Sequence, residues 1–199
     1  MGLLIRLSSF IAGLKGMRVD CNSLEIGGTL VTSSAAELNI LDGVTATYTE
    51  INNACDVSGR LVAAGGTLAV TSAHEGKTIM LDRATGSTCT LPAATGSGAV
   101  YRFAVKALAT SNNHIVKVAN ANDVMCGTIL AVDTDSAGTI TGYATAATSD
   151  TITLNRSTTG SVTIGEWVEV CDILANKWAV RGVVSNSGDG ATPFSAAVS

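Results

Sequence analysis

The stretch Tyr101-Arg102-Phe103-Ala104-Val105-Lys106 alternates, residue by residue, between large apolar side chains and polar or small ones. A period of two sets Tyr101, Phe103 and Val105 on one face and Arg102 and Lys106 on the other, the pattern of a strand with one dry and one wet side. Working outward, short runs of the same kind occupy residues 67–71, 78–81, 88–91, 99–107, 114–119, 128–133, 139–145, 151–154, 166–171 and 178–184. They are rich in β-branched or aromatic residues, and nearly all are bounded by Gly, Asn, Asp or Ser. Pro92 follows Leu91 and ends that strand instead of interrupting it. Near-regular spacing of short strands predicts a mainly β chain, with an antiparallel β-sandwich or barrel-like domain over 61–199. Around Ala175-Asn176 the last two runs are expected to pair as a hairpin, setting the indoles of Trp167 and Trp178 on a shared surface.

Residues 1–60 read differently, as an N-terminal arm with short helical turns. Leu3, Leu7, Phe10 and Leu14 follow a 4-3-4 spacing that puts one apolar stripe on a short helix. Arg6, Ser8 and Ser9 interrupt the apolar run, so it does not read as an export signal, and it is too short and polar to span a bilayer. An arm packed in a subunit interface is the expectation. Further on, Ser34-Ala-Ala-Glu37-Leu38-Asn39 and Thr47-Tyr-Thr-Glu50-Ile51-Asn52 are two copies of one pattern. Each is a capping box, in which Ser34 or Thr47 accepts from a backbone amide three residues on while Glu37 or Glu50 reaches back. Leu38, Leu41 and Ile51 are among the few large apolar groups able to anchor such turns, which cannot close a core alone.

The stretch from Ser34 to Gly59, including Ile40-Leu41-Asp42-Gly43, resembles the Glu-Leu-Asn-x-Leu-Asp-Gly repeats of structural proteins from tailed-bacteriophage virions. Downstream, Thr78-Ile-Met-Leu-Asp-Arg83, Thr90-Leu-Pro-Ala-Ala-Thr-Gly-Ser-Gly98, His114-Ile-Val-Lys-Val-Ala119 and Asp150-Thr-Ile-Thr-Leu-Asn155 are similar to a β-rich domain of such proteins, head decoration proteins included. Both head and tail components carry these features. The resemblance implies a virion component.

Composition points the same way. Charged residues make up 14% of the 199, against about 25% in an ordinary soluble domain. A surface so sparsely charged is expected to be partly covered by sister molecules or another protein. Net charge is −4 with the basic residues scattered singly, which argues against nucleic acid as a partner. The five cysteines, Cys21, Cys55, Cys89, Cys126 and Cys171, form no CxxC pair and are odd in number, so they read as reduced, buried thiols.

Candidate chemistry fails on spacing. Asp133-Thr-Asp135-Ser-Ala137-Gly138 begins like a calcium loop, but Ala137 and Ala144 fall where oxygen ligands are needed. His74 and His114 have no metal-ligand spacing around them, and His114 is expected at the surface or rim. Gly96-Ser97-Gly98 lacks a third glycine and leads into a strand, and no Gly-x-Ser-x-Gly elbow presents a nucleophile. The expectation is a protein with no catalytic residues, no metal and no cofactor. It is read as decorating and stabilising a bacteriophage capsid from the virion surface after synthesis in the host cytoplasm. Its partners are then the major capsid protein and itself, as a homotrimer, with no membrane partner and with Leu3, Leu7, Phe10, Leu14, Leu38, Leu41 and Ile51 in the contacts. The alternative is a tail fibre or tail-associated protein that recognises the host.

Overall fold

All ten predicted strands form, but the pairing among them is mixed, not antiparallel as expected. The computed structural model describes residues 24–34, 36–37, 44–55, 59–136 and 138–198. Leu3, Leu7, Phe10, Leu14, Leu38, Leu41 and Cys21 lie outside the described residues. The chain divides into two compact units, Met1–Thr47 and Tyr48–Ser199.

In the first unit β1 (Leu24–Ile26) and β2 (Thr29–Val31) form a hairpin closed by Gly27 and Gly28, both at positive φ as a tight hairpin turn requires. Beyond it the first predicted capping box is made. Glu37 Oε2 accepts from the Ser34 amide at 2.7 Å and from its hydroxyl at 2.8 Å, while the Glu37 amide donates back to Ser34 Oγ at 3.3 Å. These bonds hold the Glu37 carboxyl below its ordinary pKa.

The second unit opens with α1 (Tyr48–Cys55), which starts directly after Thr47 with Glu50 in its first turn. It runs for eight residues, longer than the single turn expected. The seven-stranded sheet contains, in spatial order, β10 (Ile140–Ala144), β9 (Val124–Asp133), β13 (Lys177–Asn186), β12 (Trp167–Leu174), β7 (Val100–Val105), β5 (Thr78–Leu81) and β3 (Leu61–Ala63). The five-stranded sheet contains β14 (Phe194–Ser195), β11 (Thr151–Leu154), β8 (His114–Lys117), β6 (Ser87–Thr90) and β4 (Thr67–Ala69).

From β3 to β8 the chain places successive strands in alternate sheets, so β3, β5 and β7 run parallel in one sheet and β4, β6 and β8 run parallel in the other. Leu61, Thr78 and Arg102 fall in one cross-strand row, and Thr67, Thr88 and Ile115 in another. This is a flattened coil of three windings. Short links suffice for parallel pairing here because each link crosses to the other sheet instead of returning to its own. After β8, antiparallel partners are added through β11 against β8 and β12 against β7, while β13 lies parallel to β9.

The inward faces make a single core cluster. Ile79, Leu81, Tyr101, Phe103, Val105, Val168, Val170 and Trp178 come from the seven-stranded sheet, and Cys89, Val116, Ile152 and Leu154 from the five-stranded one. Burial of each large apolar side chain contributes about 1.5–3 kcal/mol. The loops are fastened by carboxylates. Asp172 accepts from the amides of Thr95, Gly96 and Ser97, Glu166 from those of Ser161, Val162 and Thr163, and Asp150 from those of Ala197 and Val198.

Candidate interaction surface

Strands β9, β10 and β13 carry apolar side chains on both faces. Met125, Ile129 and Ala131 of β9 enter the core, while Leu130 and Val132 of the same strand stand in solvent. Register sets Val132 opposite Ile140 on β10 and Leu130 beside Val183 on β13. Val183 in turn pairs with Trp167 on β12. Ile164, 70% exposed, lies in the loop before β12, and together with Val132, Trp167 and Val183 it lines a shallow groove of about 290 Å³. Ile140 is 62% exposed at the sheet edge. Four exposed branched aliphatic residues on one sheet, with Ile164 from the adjoining loop, make the kind of surface that partners cover.

Beside this patch the same outer face holds a charged group. Glu169 projects between Arg102 and Arg181, with Arg102 Nη2 at 2.9 Å and Arg181 Nη2 at 2.5 Å from its two oxygens. The three residues share a row across β7, β12 and β13. Arg102 also lies 5.2 Å over the Trp167 ring, a cation–π arrangement. Burial raises the Glu169 pKa, and the hydrogen bonds and charge of Arg181 and Arg102 outweigh it and hold the carboxyl below its ordinary value. Both arginines are at least half exposed, so the triad presents a net charge of +1 on a chain of net −4. Replacing Glu169 with Gln should leave two like charges on the strands flanking β12 and cost about 1–2 kcal/mol, read from urea denaturation at low salt. A loss that does not shrink on raising the salt would contradict the electrostatic account.

No family model matches the chain, and no curated protein matches it. The surface is therefore read from its own chemistry. Of the predicted contact residues, Ile51 is described: it is half-buried on α1. Leu130, Val132, Ile140, Ile164 and Val183 were not among them. A signal for part of this set was present in Ile129-Leu130-Ala131-Val132 and Val183-Val184, where the alternation fails because both faces are apolar.

Other expected sites fall elsewhere. The β12–β13 hairpin forms, with Asn176 at φ 63° in its two-residue turn, but the indoles do not share a surface. Trp178 is wholly buried and Trp167 lies on the outer face, since one is paired to Asp172 and the other to Val183, on opposite sides of the pleat. His114 is buried, not at the rim, because β8 is an interior strand. Its Nε2 meets the Ala107 carbonyl at 2.7 Å, and burial lowers its pKa. His74 caps the 3₁₀ turn Ser72–His74, its Nδ1 accepting from the Thr71 amide. Asp133 and Asp135 fasten turns: Asp133 accepts from the amides of Asp135 and Ser136, and Asp135 from that of Gly188. Among the described residues no three His, Cys, Asp or Glu side chains cluster as a metal site, and no helix is long and apolar enough to cross a membrane. The described cysteines are all free. Cys89 is buried as expected, its thiol pushed up to about 12 by burial and then by the Asp82 charge, whereas Cys55 is exposed at the end of α1.

Proposed function

We propose that this protein is a non-enzymatic virion component that decorates and stabilises a bacteriophage capsid as a homotrimer. In this reading the two sheets, sharing one core, form a sandwich-like body that associates with its sister copies through the outer face of the seven-stranded sheet. The observation that carries it is the apolar patch of Leu130, Val132, Ile140, Ile164 and Val183 beside the Arg102–Glu169–Arg181 triad. A cyclic trimer joins unlike faces, so the net positive triad on one copy can meet carboxylates on the next. The stripe of Leu3, Leu7, Phe10 and Leu14, with Leu38, Leu41 and Ile51, then serves contacts with the major capsid protein. Many weak contacts multiplied over a symmetric shell would resist the pressure of packaged DNA through avidity.

The tail-fibre reading is favoured by one feature, the coil of β3 to β8, since such windings stack into elongated bodies. Two measurements separate these readings. Sedimentation velocity should show a trimer, and Leu130→Asp with Val183→Asp should convert it to monomer without loss of β signal in circular dichroism. Full-length protein mixed with expanded empty heads should appear on the capsid lattice by negative-stain imaging, with occupancy falling in a Leu7→Asp, Phe10→Asp variant. A wild-type monomer at high concentration, or bare heads, would overturn the proposal.

A further inference from the structure

The two sheets of the second unit end in four edge strands, and three of these, β3, β4 and β14, have only two or three residues each. Edges so short offer little for another chain to pair with. The fourth, β10, has five residues and contains neither proline nor a charged side chain, the usual protections of an edge. Its flanks are as bare, since residues 136–149 carry no charge at all. In the sheet β10 has one neighbour, β9. The Thr139 carbonyl accepts from the Asp133 amide and the Thr145 amide donates to the Gly127 carbonyl, so the odd-numbered residues of this segment bond to β9. In an antiparallel ladder the alternate residues turn their groups the other way. The amides and carbonyls of Ile140, Gly142 and Ala144 therefore point off the edge, with no partner among the described residues.

We infer that β10 docks on β10 of a second copy, antiparallel, across a two-fold axis at Gly142. The edge is complementary to itself in this register. Setting Gly142 against Gly142 sets Ile140 against Ala144 in both directions, and every outward amide and carbonyl of the two edges then meets a partner. A slip of one residue opposes groups that face away from each other, and a slip of two carries Ile140 or Ala144 past the end of the partner strand. Side chains agree with the same register. None stands on the outer face at the axis, and each Ile140, 62% exposed, lies opposite the small Ala144 of the other copy. With no charge along the segment, nothing repels an identical strand and nothing selects a charged foreign one. The edge groups lie in the plane of the sheet, whereas the trimer contact uses its outer face, so this inference does not depend on the capsid reading.

So short a ladder associates weakly, and the test therefore spans concentration. Amide exchange is followed residue by residue in the ¹⁵N-labelled full chain, from low micromolar to near-millimolar protein. Exchange at Ile140, Gly142 and Ala144 should slow by roughly tenfold at the upper end, the factor when about nine edges in ten are paired. Thr141 and Tyr143, whose amides already face β9, should not change. Sedimentation equilibrium over the same range should show the particle mass doubling. Gly142→Pro removes the central edge donor, which makes no bond within the copy, and Gly142→Asp sets two carboxylates opposite each other across the axis. A Cβ at this position meets only Leu130 Cδ2, at 3.7 Å, so both variants keep the fold. Each should abolish the slowing and the doubling while leaving the trimer of the capsid reading in place, so the two contacts fail separately. Edge amides that exchange freely at every concentration would overturn the inference. Protection independent of concentration would overturn it too, because the edge would then be covered within one copy, and so would slowing that persists in both variants.

Discussion

Replacing Asp172 with alanine is expected to release the 95–97 loop and lower folding stability by about 4 kcal/mol. Three amides and the hydroxyls of Thr95 and Ser97 converge on this carboxylate at 2.7–3.1 Å. The Ala variant strands those donors at the end of the core, and the loss of desolvated partners, more than the loss of the bonds, sets the magnitude. Asp172→Asn keeps the shape but turns one acceptor into a donor facing other donors, so it should recover little. Chemical denaturation of the three proteins reads the difference, and a loss under about 1 kcal/mol for Ala would show that the loop is held by something else.

The same carboxylate shapes the acid response. Burial raises the Asp172 pKa, but the hydrogen bonds from Ser97, Gly96 and Thr95 outweigh it and hold the group well below the ordinary carboxylate range. A lowered folded pKa means that the unfolded chain takes up the proton first. Its contribution is therefore fully present above the unfolded value of about 3.9 and is lost as pH falls below it. His114 acts earlier and in the same direction. Burial lowers its pKa, so below about pH 6.5 the unfolded chain gains a proton that the folded chain refuses. Stability should thus decline in two steps on acidification, and the lower step should be smaller in Asp172→Asn, with Glu169 and Glu37, also held below their ordinary values, supplying the part that remains.

The strands were legible in the sequence because period-two alternation is local. Thr78–Leu81 and Thr151–Leu154 form where their patterns predict, whereas Leu61–Ala63 and Phe194–Ser195 are too short for any period to show. Partner choice was not legible. Nothing in Val100–Val105 states that β5 lies parallel on one side and β12 antiparallel on the other, since alternation fixes faces but neither neighbour nor direction. The buried His114 was missed for a related reason: an interior position in the five-stranded sheet follows from topology, not from adjacent residues. The roles of Asp150 and Asp172 depend on segments 47 to 77 residues away in sequence, beyond the reach of any spacing rule, whereas Glu166 holds amides only three to five residues before it.

Gly127→Ala is the second change expected to have a large effect, because here the missing side chain is itself a structural requirement. Gly127 lies in β9 at φ 147° and pairs with Val180 of β13, and a Cβ there would overlap the Val180 carbonyl. Backbone, not a flexible side chain, must give way, so the cost should reach about 3 kcal/mol or more. Gly138→Ala is the matched control. Its φ is also positive, at 82°, but open space surrounds the new carbon, leaving only the conformational cost of about 1–2 kcal/mol. A difference between the two variants isolates the close approach of β9 to β13. That approach sets Leu130 beside Val183 on the outer face three residues further along the same pair. If the apolar face joins sister copies, Gly127→Ala should shift sedimentation toward monomer at temperatures where circular dichroism still reports β structure, and Gly138→Ala should not. Equal effects of the two variants on assembly would separate the β9–β13 contact from the interface.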